Sequence, residues 1–443
     1  MEPEPERGTS SISFASYLRL LRGNRNFRHL WLAQIVSEIG DWFYTLSIYS
    51  LLLQFTGRAS SVALALVLQV LPQTFMVAPS GVVNDRIRRK QVMIAADLAR
   101  MLIVLCMLLV RSRETVWLVY PLLLLETVGA SFFEPARNSV IPNITTREDV
   151  VLANTLASAT WSVNLVLGAT LGGAAAALLG RNAVFGLNAL SFLASAVLIR
   201  GMRFAEPHAT HAAPLRPADL VDFSPVAEGI RYVRKDRKLL ATIFAKAGNL
   251  VIGPSWVLFT VMGLKTFATQ LHGMDPQRAG MLGMSFLLGA RGLGALLGPL
   301  ISAPWAGNRQ NRLQLGILLG FLTCAAGYTI LGTVSSIWIA CACIVLAHSG
   351  GSTVWVFSTT LLQLNTEDRF RGRVFAADMA LCMLTIAVGA WAAGWFVDRG
   401  TPIPVVVRTV GLLMLVPAAL WGMATRMWKE NSKPAEETPA HQS

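Results

Sequence analysis

The chain has 443 residues, 53% of them apolar and only 14% charged, with a formal net charge of +13. Soluble chains carry about a quarter charged residues, and here apolar runs near the ~20 residues of a spanning helix recur from end to end. That excludes an ordinary soluble domain, and the basic excess calls for no nucleic acid, because Lys and Arg gather in loops held in the cytoplasm.

Residues 1–28 are polar and basic. They lack the short apolar core and small-residue cleavage site of a signal peptide, and read as a cytoplasmic tail before a retained first span. Twelve apolar segments follow, at 29–54, 60–82, 91–110, 116–135, 151–179 and 182–199, then at 239–263, 278–302, 313–333, 336–361, 373–397 and 404–426. The expected fold is therefore an all-α integral membrane protein of two six-helix bundles, 29–199 and 239–426, with a polar cytoplasmic tail over 427–443. With both termini inside, most of the 38 Lys and Arg fall on the cytoplasmic side, as the positive-inside rule requires. Arg137 counts there as a loop residue. The five cysteines all lie in apolar runs and read as packing residues.

The segment 200–238 joins the bundles. Its first part, around His208 and His211, reads as a polar linker rather than a metal site. Its second part repeats Phe223, Val226, Ile230 and Val233 at helical spacing beside Arg231, Arg234, Lys235, Arg237 and Lys238. This is an amphipathic surface helix, its apolar face against lipid or the inner ends of spans and its bases near anionic headgroups.

The two halves echo one another. Asn143-Ile-Thr-Thr-Arg147 after the fourth span returns as Asn365-Thr-Glu-Asp-Arg369 after the tenth, and Gly168 and Gly173 return as Gly389 and Gly394 at nearly the same interval. Duplicated six-helix halves are the architecture of one large transporter class.

The loop after the second span, GVVNDRIRRK over 81–90, resembles the signature loop of the major facilitator superfamily at Gly81, Asp85, Arg86, Arg89 and Lys90. Arg88 stands where that family has glycine. FRHLWLAQIVSEIGDWF in the first span, FFEPARNSVIPNITTREDVVLAN across the fourth and fifth, and EGIRYVRKDRKL before the seventh resemble its bacterial efflux branch, which includes enterobactin exporters and macrolide efflux proteins. In the fifth span Gly168, Gly172 and Gly173 are similar to the antiporter motif, with Ala169 replacing its proline. The resemblance implies a conformational latch in the inner loop, where Asp85 pairs with Arg89, with Glu134 or with the start of the eleventh span. It also implies a central path lined by the first, fourth, seventh and tenth spans. Gly81, for its part, is small enough to let two helices approach closely.

A charge near mid-membrane costs about 2.5–3.5 kcal/mol, so each one present should meet a partner or water. Glu38, Asp41 and Glu126 are the candidates for a proton-accepting carboxylate, because clustered acids hold protons more tightly. Lys246 and Arg291 are further proton-coupling or substrate candidates, or else structural ion-pair partners for Glu38 and Glu126. His348 is a proton relay or a satisfied interior histidine. Asp97 and Arg100, three apart on one helix, read as a self-paired bridge.

No phosphate-binding loop, catalytic nucleophile motif or metal-ligand cluster is present in the sequence. No cofactor, metal or enzymatic activity is expected. The expected function is secondary active export of amphipathic, drug- or siderophore-like molecules from a bacterial cell, by proton antiport across the inner membrane. The partners are then the substrate, protons and membrane lipid, and the chain works as a monomer. A lipid or lysophospholipid flippase is the alternative of the same class, suited by the 12 Trp and 15 Met. A non-transporting membrane sensor or partner protein of the same fold is the alternative of another.

Overall fold

Long apolar runs in lipid satisfy their backbone groups only within helices or closed barrels, and this chain takes the first course. The computed structural model describes residues 14–146, 149–206, 209, 224–268, 275–307 and 309–430, and every extended element among them is a helix. The first half comprises α1 (Phe14–Gly23), α2 (Arg25–Thr56), α3 (Ala59–Arg86), α4 (Arg89–Cys106), α5 (Val119–Ile144), α6 (Val150–Leu179) and α7 (Arg181–Arg200). The second comprises α8 (Ser224–Val233), α9 (Arg237–Ala247), α10 (Ile252–Val261), α11 (Pro276–Ala306), α12 (Gln310–Leu331), α13 (Ile337–Asn365), α14 (Asp368–Asp398), α15 (Ile403–Leu413) and α16 (Leu415–Glu430). His208, His211 and Phe223 lie outside the described residues.

Among the described residues, 10 helices are long and apolar enough to cross a membrane, or 11 if the bent pair within α6 is one span. The helix α2 is not in that set, although it has the length. Gln34, Ser37, Ser47 and Ser50 lower its mean hydropathy, yet all four are buried; its polar side is turned into the protein. Leu102, Leu178, Ile301 and Leu420 are examples of the opposite case, large apolar side chains left exposed, as a lipid-facing surface requires.

Two departures from the expected spans bear on function. Helix α5 does not stop near residue 135 but continues through Pro135 and Pro142 to Ile144, so Arg137 is a buried helical residue and not a loop base. The seventh span is interrupted between α9 and α10, where Asn249 turns its side-chain amide onto the Gly351 carbonyl at 2.9 Å.

The chain forms two compact units, residues 1–48 with 75–222 and residues 49–74 with 223–443. In the first, α4 packs against α5 and α7. In the second, α13 lies against α11 and α12, and α10 against α14. Helix α8 rests on α14: Tyr232 stacks on Phe370 with ring centres 4.3 Å apart, Glu228 pairs with Arg373 at 2.8 Å, and Val233 joins Leu239, Ile243, Leu362 and Val374. Ile230 of the same helix stays exposed. At the start of α3, the Asp398 carboxylate accepts the Ala59 and Ser60 amide N–H groups at 2.6 and 2.9 Å, the arrangement that orphan donors at a helix N-terminus favour.

Candidate functional site

Two acidic side chains from separate helices of the first unit come together around one guanidinium. Arg100 of α4 reaches Glu126 of α5 at 2.6 Å and Asp41 of α2 at 2.8 Å, and its guanidinium carbon lies 4.1 Å from the centre of the Phe192 ring. The path of Arg100 depends on a missing side chain: a Cβ on Gly129 would stand 2.8 Å from its Cγ. Asp97, one turn earlier on α4, is fully buried, and neither carboxylate oxygen has a hydrogen-bond partner among the described residues. The expected Asp97–Arg100 bridge is thus replaced, because Arg100 turns to Glu126 and Asp41, and Ser195 is the polar group beside Asp97.

Glu38 belongs to a second, closed group. It accepts hydrogen bonds from Gln34 at 2.8 Å, Asn164 at 2.8 Å and Arg137 at 3.1 Å. Glu38, Asp41 and Glu126 therefore do not form one acidic cluster: Glu38 is paired with Arg137, and Glu126 with Arg100. Gly168 and Gly172 lie where α6 meets α2: a Cβ on Gly168 would stand 2.6 Å from Trp42 Cβ, and one on Gly172 3.1 Å from Phe43 Cα. Gly173 is buried beside them. The glycine face of α6 thus packs on the residues that follow Asp41.

The second unit holds a different set. Lys246, at the end of α9, pairs with Asp378 of α14 at 2.6 Å and lies 4.3 Å from the centre of the Trp355 ring. Both members of the pair are buried. His348 is buried too, its Nε2 3.1 Å from the Tyr328 hydroxyl and its ring edge-on to Phe259. Arg291 of α11 stands over the Trp256 ring of α10 at 4.1 Å.

The family profile described as transmembrane secretion effector matches residues 16–442. The chain belongs to the major facilitator superfamily. Relatives of this transporter include macrolide efflux protein A of Streptococcus pyogenes, 25% identical over 84% of this chain and 89% of that protein. The uncharacterised transporter YkuC of Bacillus subtilis is 27% identical over 69% of this chain and 71% of its own. Among solved structures, a peptide transporter in complex with sulfate aligns with a TM-score of 0.72 at 12% identity, covering 92% of this chain and 95% of that one. A bacterial homologue of the lysosomal transporter Spinster, inward-facing and unoccupied, aligns at 0.67 and 14%, covering 96% and 100%. At such identities the structures share the fold alone.

The signature loop of this transporter is open in the structure. Asp85 is 78% exposed and its nearest base, Arg89, is 3.8 Å away. Arg89 instead donates to the Asn84 and Ser139 carbonyls at 3.2 and 2.9 Å, while Lys90 donates to the Met202 carbonyl at 2.6 Å. Glu134 pairs with Arg137 at 2.8 Å, not with Asp85. A Cβ on Gly81 would meet nothing within 4 Å, so the close approach expected there does not occur. The side chains of Asp368 and Arg369 at the start of α14 lie outside the described residues.

Sequence reasoning missed Asp378 and misread Arg137 and Asp97. For Asp378 the available signal was its place inside the apolar segment 373–397, where a lone carboxylate demands a cation.

Proposed function

We propose that this chain is a proton-coupled exporter of amphipathic small molecules in a bacterial inner membrane. It spans the membrane twelve times, with α2 and α6 each one span, α9 with α10 the seventh and α15 with α16 the twelfth, and both termini are cytoplasmic. Two six-helix repeats, 29–199 and 239–426, alternate between facing states as a monomer, with 200–238 connecting them. The inner loop at Asp85, Arg86, Arg89 and Lys90 closes in the state that faces outward. Export of bulky amphipaths is supported by the relationship to a macrolide efflux protein.

The observation that carries proton coupling is the excess of acid around Arg100. One guanidinium meets Asp41 and Glu126, and Asp97, a turn away on the same helix, makes no ion pair among the described residues. Three ionised carboxylates against one cation are not tolerated in a dry interior, so the closed site holds protons and a hydrated one releases them. Asp41, whose side chain is 32% accessible although its Oδ1 is enclosed, is the acid of the group nearest to water, and Asp97 is the buried reservoir. Loss of the proton leaves negative charge that Arg100 must turn to meet, which ties protonation to the facing state. The Gly168, Gly172 and Gly173 face of α6 holds the α2 segment that carries Asp41. Glu38, held by Gln34, Asn164 and Arg137, positions α2.

The test is proton movement in proteoliposomes, followed with a pH-sensitive dye during erythromycin efflux. Asp97→Asn, Asp41→Asn and Glu126→Gln are expected to lose proton movement while still binding erythromycin. Erythromycin flux without protons in the wild type would sink the coupling. Unchanged proton movement in all three variants would move it to another site.

A further inference from the structure

One cation in the second unit stands apart from every ion pair. No acidic side chain pairs with Arg291 among the described residues, and its Nε atom is inaccessible and without a hydrogen-bond partner. Its electrostatic neighbours are aromatic hydroxyls, Tyr328 of α12 and Tyr49 of α2. Both are already engaged: Tyr328 with His348 Nε2 at 3.1 Å, and Tyr49 as donor to Gln69 Oε1 at 2.6 Å. Tyr49 also meets the edge of Trp256, with ring centres 6.2 Å apart. Tyr49, Tyr328 and His348 are buried, whereas Arg291 and Trp256 keep part of their surface accessible. The guanidinium is therefore the accessible front of an aromatic wall built from α2, α10, α11, α12 and α13.

An uncompensated cation within a span is among the costliest groups a membrane protein carries. Stacking on Trp256 offsets part of that cost and uses none of the N–H donors. A planar fork of free donors lying on an aromatic face is suited to a carboxylate, which it meets in a bidentate manner while the ring takes the adjoining apolar group. It repels a cation.

We propose that Arg291, backed by Trp256, Tyr49 and Tyr328, is the subsite that holds a carboxylate of the exported molecule. Amphipathic acids and zwitterions are then favoured over molecules of equal apolar bulk that lack the carboxylate. The identity of the bound molecule as cargo rests on the exporter reading; binding itself does not require flux.

N-dansyl-phenylalanine and its methyl ester differ by one negative charge at equal apolar bulk. Each is titrated against the full-length protein in detergent at low salt, with dansyl fluorescence as the readout. The wild type is expected to bind the acid roughly ten- to a hundredfold more tightly than the ester, the range one or two charge-assisted hydrogen bonds supply. Arg291→Gln erases that preference with the ester's affinity unchanged, and Arg291→Lys keeps part of it. Equal affinity for acid and ester, binding of neither, or a preference that survives in Arg291→Gln overturns the proposal. Should Arg291→Gln not fold, as judged by gel filtration and thermal melting, Arg291→Lys carries the test: an undiminished preference there overturns it as well. Proteoliposome efflux separates the two readings. Acid-selective binding without any flux leaves the subsite standing and removes the exporter, whereas erythromycin flux with no acid preference does the reverse.

Discussion

The centres of the two units differ in the sign of the charge they leave over. Around Arg100, acids outnumber bases; around Arg291, a base stands with no acid paired to it among the described residues. The interval that separates Asn143 from Asn365 also separates Glu126 from His348, so the residue that binds Arg100 in one repeat is matched in the other by an imidazole held by Tyr328. On the proposed two-repeat organisation, matched positions carry different chemistry. The proton and the anionic group then need not compete for one site, since each repeat offers the polarity the other lacks.

The comparison breaks most visibly at Arg100. Arg100→Met leaves Asp41 and Glu126 facing each other without a cation, and loss of one member of a buried ionic network costs about 3–5 kcal/mol. A large fall in melting temperature in detergent is expected, with proton movement abolished. Stability equal to the wild type would mean that the triad is not the centre of the first unit.

A second, somewhat smaller effect tests whether the second unit's other cation is closed. Asp378→Leu strands Lys246 in a buried position and is expected to destabilise by roughly 2–4 kcal/mol, while Lys246→Met with Asp378→Leu recovers most of the loss. A double variant as unstable as the single one would show that the pair is not an isolated unit.

The third sharpens the contrast by moving polarity across. His348→Glu supplies the second unit with the carboxylate of the first, next to Arg291. It is expected to lower the preference for dansyl-phenylalanine over its ester by roughly tenfold, about 1.4 kcal/mol, and to leave proton movement intact. An unchanged preference would separate His348 from the Arg291 site.

Much of this was legible in the sequence, and the illegible parts have physical causes. The family, the all-helical fold and the segments that become membrane-capable helices follow from apolar runs and a loop motif, which are local properties. The buried charges were visible as anomalies, because a charge in an apolar run stands out on cost alone. Their partners were not. Arg100 chooses Glu126 and Asp41 over its own neighbour Asp97, a choice made by the packing of α4 against α5 and the gap at Gly129. Arg137 falls just past the apolar run that ends at 135, yet the helix runs on through Pro135 and Pro142 and carries it inside. In α2, buried serines and glutamine lower hydropathy while serving a protein-facing side, so the same composition that weakens the span signal is what the site requires.

The bond between Asp398 and Ala59 joins residues 339 positions apart, and residues 49–74 belong to the unit otherwise built from 223 onward. A hairpin synthesised early thus waits for the end of α14 before it meets this partner. While the ribosome completes the rest, its polar start must be held by lipid headgroups or by the insertion machinery, since contacts so distant in sequence form late. A chain cut after residue 222 would keep α4, α5 and α7 but strand that hairpin, so biogenesis and not just transport depends on the far end of α14.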